Sequence, residues 1–353
     1  MSRRGWLLLV AMGVIWGVPY LLIKVAVGEV SPVMVVFVRT GLGALLLVPF
    51  ALRAGGLAAL RGHWRWILAF AVLEIVGPWI LLSNAETVLD SSTTGLLVAT
   101  VPIAAVVIGR IVDRQPVAWV RWVGLAVALG GVALLLGPGA AADDPWAVTQ
   151  VLLAALGYAS APLIAERKLA GVPSIPMTTA CLAFTALLYL PVVLLTGPHA
   201  WPSLDGALAL AGLGAICTAL AFVLFFALIS EVGGARSTLV AYLNPIVAVA
   251  LGALVLDEPL TWGIAAATAL ILLGSAAASR RSARAVTPPG APPEATIPDL
   301  ALSATADEAV PDQSTRTSAG GSSGTAPSTT ASTTPSTTAS TTASTTASSG
   351  NLP

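Results

Sequence analysis

Two ionisable side chains, Arg39 and Glu74, lie deep inside apolar stretches of the sequence. A charge deep in a membrane-spanning segment is costly, and such residues usually serve a function. With the N-terminus on the cytoplasmic side, Arg39 lies about seven residues from the outer end of its stretch, and Glu74 lies about nine or ten residues from the outer end of its own. At about 1.5 Å per residue these positions correspond to depths of roughly 10 and 14 Å. We therefore expect the two side chains to meet on adjacent antiparallel helices.

Such a pair has two interpretations. It is either a buried ion pair that fixes the packing of two helices, or a site that couples transport to a proton or ion. In the second case burial favours the neutral form of the Glu74 carboxyl group, which carries a proton while Arg39 or a substrate competes for it. The sequence alone leaves both interpretations open.

Six further polar or aromatic side chains fall within the apolar stretches and could line a substrate-binding cavity: Trp16, Tyr20, Trp79, Tyr158, Tyr242 and Asn244. Asn244 directly precedes Pro245, and Pro102 lies in another stretch. A proline frees backbone carbonyls, which are tolerated inside a membrane only within protein or beside a wet cavity. Four of the six are expected to face substrate most directly, namely Trp16, Tyr158, Tyr242 and Asn244. Ordinary helix packing is the alternative for each of the six.

The sequence lacks the residues that ATP hydrolysis, nucleophilic catalysis and metal binding require. The sequence has no phosphate-binding loop, no set of Ser, His and Asp for nucleophilic catalysis and no cluster of metal ligands in the apolar stretches. Cys181 and Cys217 lie within apolar runs, and the net charge of zero includes no basic run suited to nucleic acid. We therefore expect neither an enzyme nor a bound cofactor or metal, and no nucleic-acid partner.

The elements that position these residues follow from composition. Apolar residues make up 56% of the chain and charged residues 10%, whereas a soluble domain carries roughly a quarter charged residues. One membrane span needs roughly 20 mostly apolar residues. The sequence therefore predicts an all-α membrane protein with ten transmembrane helices, at 5–26, 32–52, 64–84, 93–112, 117–137, 146–165, 174–196, 206–230, 235–256 and 260–279.

Lysine and arginine set the predicted orientation, because positive charges concentrate on the cytoplasmic side. With the N-terminus inside, basic residues from Arg3 to Arg284 fall on that side, and the outer loops hold acids from Glu29 to Glu258. Lys24 is the exception and is expected to act as an anchor at the outer surface. The pattern predicts a protein of the cytoplasmic membrane with both termini in the cytoplasm.

The fourth and ninth stretches form an internal repeat. TTGLLVATVPIAAVVIGRIVDRQPVAW, from Thr93, aligns without gaps on RSTLVAYLNPIVAVALGALVLDEPLTW, from Arg236, at an offset of 143 residues. Both copies contain the frame P-x6-G-x6-P-x2-W. The offset spans five helices, and because five is odd the second half must enter the membrane in the opposite direction. Inverted repeats of this kind build alternating-access transporters with a site between the halves.

The repeat divides the chain into three parts. Residues 1–137 and 138–284 are the two predicted five-helix repeats, and residues 285–353 form a tail rich in Ser, Thr, Pro and Ala. Such a tail cannot bury enough apolar surface to fold, and we expect it to be disordered in the cytoplasm.

The chain resembles the EamA-type family of the drug/metabolite transporter superfamily, whose members have ten helices in two five-helix repeats. The likeness covers residues 5 to 279 and is carried by the two P-x6-G-x6-P frames together with Trp16, Gly17, the segment from Pro32 to Arg39, Gly131 and Gly274. The family pattern has an acid before the turn after the fourth and ninth helices. Glu258 fits that pattern, whereas Gln115 occupies the equivalent place in the first half.

The resemblance implies a secondary active transporter of small organic solutes, such as an amino acid, a metabolite or a drug-like compound. It implies alternating access in the lipid bilayer, export in preference to import, and exchange with protons. Two rivals are a membrane binding or scaffold protein that transports nothing and a membrane enzyme that acts on lipid. Gly13 and Gly17 form a small-residue motif, which favours helix packing within one subunit and leaves a homodimer as the alternative.

Overall fold

The computed structural model describes residues 1–112, 114, 117–137, 144–197 and 201–279, and this part of the chain contains helices and no β-strand. The predicted tail lies outside the described residues, as does Gln115. The long helices, in chain order, are α1 (Arg3–Val27), α2 (Pro32–Arg53), α3 (Trp64–Ala85), α4 (Ser91–Val112), α5 (Trp119–Leu135), α6 (Pro145–Lys168), α7 (Ser174–Thr196), α8 (Leu204–Val232), α9 (Val240–Val255) and α10 (Trp262–Ser279). Two short elements, a 3₁₀ helix at Gly56–Leu60 and a helix at Gly234–Ser237, precede α3 and α9.

Side-chain caps explain where several helices begin. The hydroxyl oxygens of Ser2, Ser31 and Ser203 and the carboxylate of Asp144 accept hydrogen bonds from backbone N–H groups of α1, α2, α8 and α6. Such caps satisfy donors that have no partner within the helix. Proline in the first turn of α2 and of α6 fixes the backbone further. These helix starts are therefore encoded locally in the sequence.

Seven of the helices are long and apolar enough to cross a membrane, namely α1 to α4 and α6 to α8. The apolar helices α5 and α9 are shorter, with 17 and 16 residues, and at about 1.5 Å per residue they reach about 25 Å, less than a hydrocarbon core of about 30 Å. The number of crossings therefore stays a prediction for these two and for α10. Many large apolar side chains point outward, including Leu195, Leu254 and Leu273, as lipid-facing surfaces require.

Two helices contain a π turn, in which the hydrogen bonds skip one more residue than in an α-helix. The turn in α3 covers Val72–Val76, and the turn in α8 covers Ala215–Leu220. Their first residues are separated by the offset of 143 residues that relates the two sequence repeats. The repeat therefore extends to an irregularity of the backbone. Such turns are often found at functional sites.

Helices of the first half pack mainly against helices of the second half. The principal pairs are α5 with α10, α2 with α7, α3 with α6, α1 with α8, α1 with α9 and α4 with α6. Exchanging the two repeats leaves the first two pairs unchanged, exchanges the next two with each other, and exchanges the last two with each other. A Cβ atom at Gly124 on α5 would lie 2.6 Å from the backbone nitrogen of Ala278 on α10. This glycine therefore allows the two backbones to approach closely.

Candidate functional site

Arg39 is the centre of a buried polar cluster between several helices. Its side chain is 7% exposed, and its Nε donates a hydrogen bond to the Thr218 hydroxyl oxygen at 3.1 Å. The guanidinium carbon lies 3.7 Å from the centroid of the Trp79 ring. A desolvated cation over a tryptophan face gains about 2 kcal/mol. Within the described part of the chain, these contacts hold the positive charge inside the bundle without an ion pair.

Tyr20 on α1 and Tyr158 on α6 complete this Arg39 cluster, which we define as Arg39, Tyr20, Trp79, Tyr158 and Thr218. Both phenols lie within electrostatic range of the guanidinium and of each other. Tyr158 also packs against two apolar core clusters, one of which contains Trp79. The cluster thus joins α1, α2 and α3 of the first half to α6 and α8 of the second.

The π turn of α8 places Thr218 against α2. The Thr218 hydroxyl donates to the Leu213 carbonyl at 2.8 Å, five residues earlier, so its oxygen is oriented to accept from Arg39. Gly43 on α2 faces this residue, and a Cβ atom at Gly43 would lie 2.7 Å from Thr218 Cγ2. Gly43 therefore provides the space that Thr218 occupies.

The expected meeting of Arg39 and Glu74 is wrong. The two side chains form no ion pair, and the ion pair found among the described residues joins Arg4 to Glu231 at 3.9 Å. Glu74 lies in the π turn of α3, within electrostatic range of Tyr158 and Cys181. Counting residues gave a depth for each charge but not the direction in which it points around its helix. The role of Glu74 in proton or ion coupling stays a prediction.

Three of the predicted substrate-binding residues lie away from Arg39. Trp16 packs on aromatic rings of α8, with its ring centroid 4.6 Å from that of Phe225. When the Asn244 amide is assigned so that its nitrogen faces the surrounding carbonyls, that nitrogen donates to Gly13, at 3.3 Å, and to Val240, at 2.9 Å, which is the contact expected of a packing residue. Tyr242 is partly buried on α9, and its hydroxyl has no hydrogen bond within the described part of the chain.

A second polar group lies where α3 ends and α4 begins, and the sequence indicated it only as loop acids. The Glu258 carboxylate accepts hydrogen bonds from the backbone N–H groups of Ser91, at 2.7 Å, and Ser92, at 3.0 Å, and from the Ser92 hydroxyl. It thereby caps the first turn of α4. Lys24 Nζ donates to the carbonyls of Glu86, at 3.0 Å, and Leu89, at 2.8 Å, so it binds the turn that follows α3, and its role as a surface anchor stays a prediction.

Glu86 is the residue that sequence reasoning missed. It directly follows α3, its side chain is 0% exposed, and neither carboxyl oxygen has a hydrogen-bond partner among the residues that the structure describes. Burial raises the pKa of Glu86 well above its usual range, against the opposing charge of Lys24. No local pattern distinguishes Glu86 from an exposed loop acid, because its burial results from the packing of distant segments.

A third acid, Glu29, joins the loop after α1 to the start of α8. Its carboxylate accepts hydrogen bonds from the Ser203 N–H and hydroxyl, each at 2.6 Å. These bonds, first of all the one from the Ser203 hydroxyl, hold the pKa of Glu29 below its ordinary value. Glu29 thus has partners for its charge, whereas Glu86 has none.

The comparison with protein families identifies this architecture. The model of the EamA-like transporter family matches residues 3–137 and again residues 145–280. The chain belongs to the EamA-like transporter family. Its two matches follow one another along the chain, as the sequence repeat requires, and the resemblance that the sequence motifs indicated is confirmed.

Relatives of this EamA-family chain are named as transporters. An uncharacterized inner membrane transporter of Escherichia coli (strain K12), YedA, is 30% identical over 69% of this chain and 80% of the relative. An uncharacterized transporter of Bacillus subtilis (strain 168), YoaV, is 24% identical over 75% of this chain and 93% of the relative. A solved crystal structure at 23% identity covers 79% of this chain and 98% of its own, with a TM-score of 0.58, and shows the shared fold.

Family membership, the apolar helices and the named relatives agree on a membrane-embedded transporter fold. They point to a protein that binds and moves a small molecule without catalysing a reaction. Within the described part of the chain, His, Cys, Asp and Glu form no cluster of three or more that could hold a metal ion.

Proposed function

We propose that this protein is a secondary active transporter of small organic solutes that carry a carboxylate or similar anionic group on an apolar body. Amino acids, other metabolites and drug-like acids belong to this class. The solute would bind at the Arg39 cluster between the two repeats. Transport would proceed by alternating access, with the repeats in opposite orientations and both termini in the cytoplasm.

The buried guanidinium of Arg39 carries this proposal. A guanidinium has five N–H donors in a planar fork that fits a carboxylate. Within the described residues Arg39 uses Nε for Thr218, and its terminal nitrogens make no hydrogen bond or ion pair. Trp79, Tyr20 and Tyr158 supply aromatic surface next to those donors. An anionic solute with an apolar body matches such a surface because it satisfies both the donors and the rings.

Proton coupling is the second part of the proposal. No ATP-binding loop is present in the sequence, so uphill transport would draw on a gradient. Export of solute against entry of protons requires a carboxyl group that binds and releases a proton during the cycle. Glu74 is one candidate, because it lies in the π turn of α3 close to Tyr158 of the Arg39 cluster.

The test is solute flux in liposomes that contain the purified protein, with an imposed pH gradient and a panel of amino acids, organic acids and aromatic acids. We expect flux for members with a carboxylate and much less flux for their amides. Arg39→Lys should retain part of the flux because it keeps the charge but loses the fork and the ring contact. Arg65→Lys is a matched control, since Arg65 is exposed at the start of α3.

The rival is a binding or scaffold protein on the same fold that moves nothing. It predicts no flux and no response to the gradient for any solute in the panel. Binding of a solute without flux, measured by a shift in thermal unfolding of the purified protein, would favour this rival. Equal flux of the acids and their amides would show that Arg39 does not bind the carboxylate of the solute.

A further inference from the structure

Glu86 occupies an unusual position for an ionisable group. It lies just after the last residue of α3, yet no part of its side chain reaches the surface. The nearby hydroxyl of Ser91 is also buried without a hydrogen-bond partner. An isolated buried carboxylate costs several kcal/mol even after the surroundings relax. In this conformation the Glu86 carboxyl group is therefore neutral and carries a proton.

The charged and titratable groups around Glu86 come from three other segments. α1 provides Lys24 and Tyr20, α2 provides Arg39, and the loop between α9 and α10 provides Glu258. None of them forms an ion pair with Glu86, since the ion pair found among the described residues joins Arg4 to Glu231. Lys24 directs its ammonium group to two backbone carbonyls, and Glu258 binds the start of α4. Lys24, Arg39 and Glu258 therefore each have a hydrogen-bond partner other than the Glu86 carboxyl group.

We propose that Glu86 is the proton-binding site of the transport cycle, protonated in the conformation seen here and ionised in a conformation that admits water to this end of the bundle. The inference rests on the proposed function for its role in transport. Its chemistry is a single reversible step, in which the O–H bond of the carboxylic acid breaks and the proton passes to water. The resulting carboxylate needs hydration or a cation, and Lys24 and Arg39 are the cations within electrostatic range.

The two conformations are linked to pH through this one group. The raised pKa of Glu86 stabilises the conformation seen here at low pH, and that stability is lost as the pH rises through the raised value.

The first measurement is independent of transport. Infrared difference spectra of the purified protein in lipid vesicles report protonated carboxyl groups as the pH is varied. We expect a protonated carboxyl band near neutral pH in the wild type that Glu86→Gln lacks. Glu29→Gln is the matched control, because Glu29 is ionised in hydrogen bonds to Ser203, and it should keep the band. Loss of the band in Glu74→Gln but not in Glu86→Gln would overturn the proposal.

The second measurement uses flux in the same vesicles. Glu86→Gln, which mimics the protonated acid, should lower uptake driven by a pH gradient at least about tenfold while solute exchange without a gradient stays within about twofold. If the wild type shows flux and Glu86→Gln responds to the pH gradient as the wild type does, the inference is overturned while the proposed transport function stands. No wild-type flux would overturn the proposed function, and the infrared result would still decide the protonation of Glu86. If Glu86→Gln does not fold, Glu86→Leu replaces it as another neutral variant.

Discussion

The two repeats build equivalent contacts with different chemistry. The segment GALLLVP from Gly43 matches TALLYLP from Thr185 at an offset of 142 residues, which makes Cys181 the counterpart of Arg39. Arg39 on α2 contacts the π turn of α8 through Thr218. Cys181 on α7 is buried beside the π-turn helix α3, where its thiol donates to the Ile67 carbonyl at 3.7 Å. The scaffold is therefore repeated, but its polar groups are not.

This difference explains where the charges lie. The cation Arg39 belongs to the contact between α2 and α8, and the carboxyl group of Glu74 belongs to the equivalent contact between α7 and α3. A single ion pair would have neutralised both charges. Separate placement leaves each charge open to a ligand, and the predictions below test whether the two contacts differ in function as they do in chemistry.

The largest expected effect separates Arg39 from Cys181. Arg39→Ala should lower transport of an anionic solute at least about 100-fold, because it removes a charged hydrogen-bond donor worth about 1.5–3 kcal/mol and a buried ring contact. Cys181→Ala at the equivalent place should change transport less than about threefold. Initial rates in proteoliposomes measure both, and comparable losses in the two variants would contradict a functional asymmetry.

The glycine that the two P-x6-G-x6-P frames share provides the next test. A Cβ atom at Gly252 would overlap the Glu258 carboxylate and the Ser92 hydroxyl, whereas Gly109 has no atom in the way within 4 Å. Gly252→Ala should therefore lower the free energy of unfolding by about 2 kcal/mol, through overpacking and loss of the cap on α4. Gly109→Ala should leave stability unchanged or slightly higher. Unfolding of each variant in mild detergent decides between them.

Gly43 and Gly41 make a closer pair on one helix. A Cβ atom at Gly43 would lie 2.7 Å from Thr218, but one at Gly41 would make an ordinary contact of 3.8 Å with Ala186. We expect Gly43→Ala to cost about 1.5 kcal/mol through overpacking and Gly41→Ala to be neutral or stabilising because alanine is the better helix former. Equal melting temperatures would show that α2 does not need to approach α8 closely.

The smallest effect concerns the hydroxyl that Arg39 uses. Thr218→Val keeps the shape and removes the acceptor, so it should lower the free energy of unfolding by about 1 kcal/mol and weaken solute flux severalfold. Thr185→Val removes only a hydrogen bond within its own helix, to the Cys181 carbonyl at 2.8 Å, and should have less effect on flux. A larger loss of flux in Thr185→Val would reverse the assignment of the two contacts.

The sequence predicted the helices better than their facing directions. Hydropathy located the apolar segments to within a few residues, and the motif frames indicated the family correctly. It also placed Arg39 deep within a helix, and it named Tyr20, Tyr158 and Trp79 among the residues that could line a cavity, without associating them with Arg39. The partner of Arg39 was wrong, because the rotation of a helix depends on packing that residue counts do not contain.

Two further features could not be predicted from the sequence, because they also depend on how distant segments pack. Substrate binding by Asn244 stays a prediction, but the bonds of its amide nitrogen to the backbone of α1 and α9 could not be foreseen, because a polar residue beside a proline serves either purpose. Glu86 looked like a loop acid because only the approach of Lys24 and Glu258 encloses it. The π turns have no signal in the residues that form them, and they became visible through the backbone alone.

The paired π turns also carry a record of descent. A π turn is an α-helix with one residue inserted, and the insertion stands at the same place in both halves. The simplest history places that insertion in a single ancestral segment, before the gene segment was doubled. Arg39, Thr218 and Glu74 have different residues at the equivalent positions of the other copy, so the two copies diverged in chemistry after that doubling.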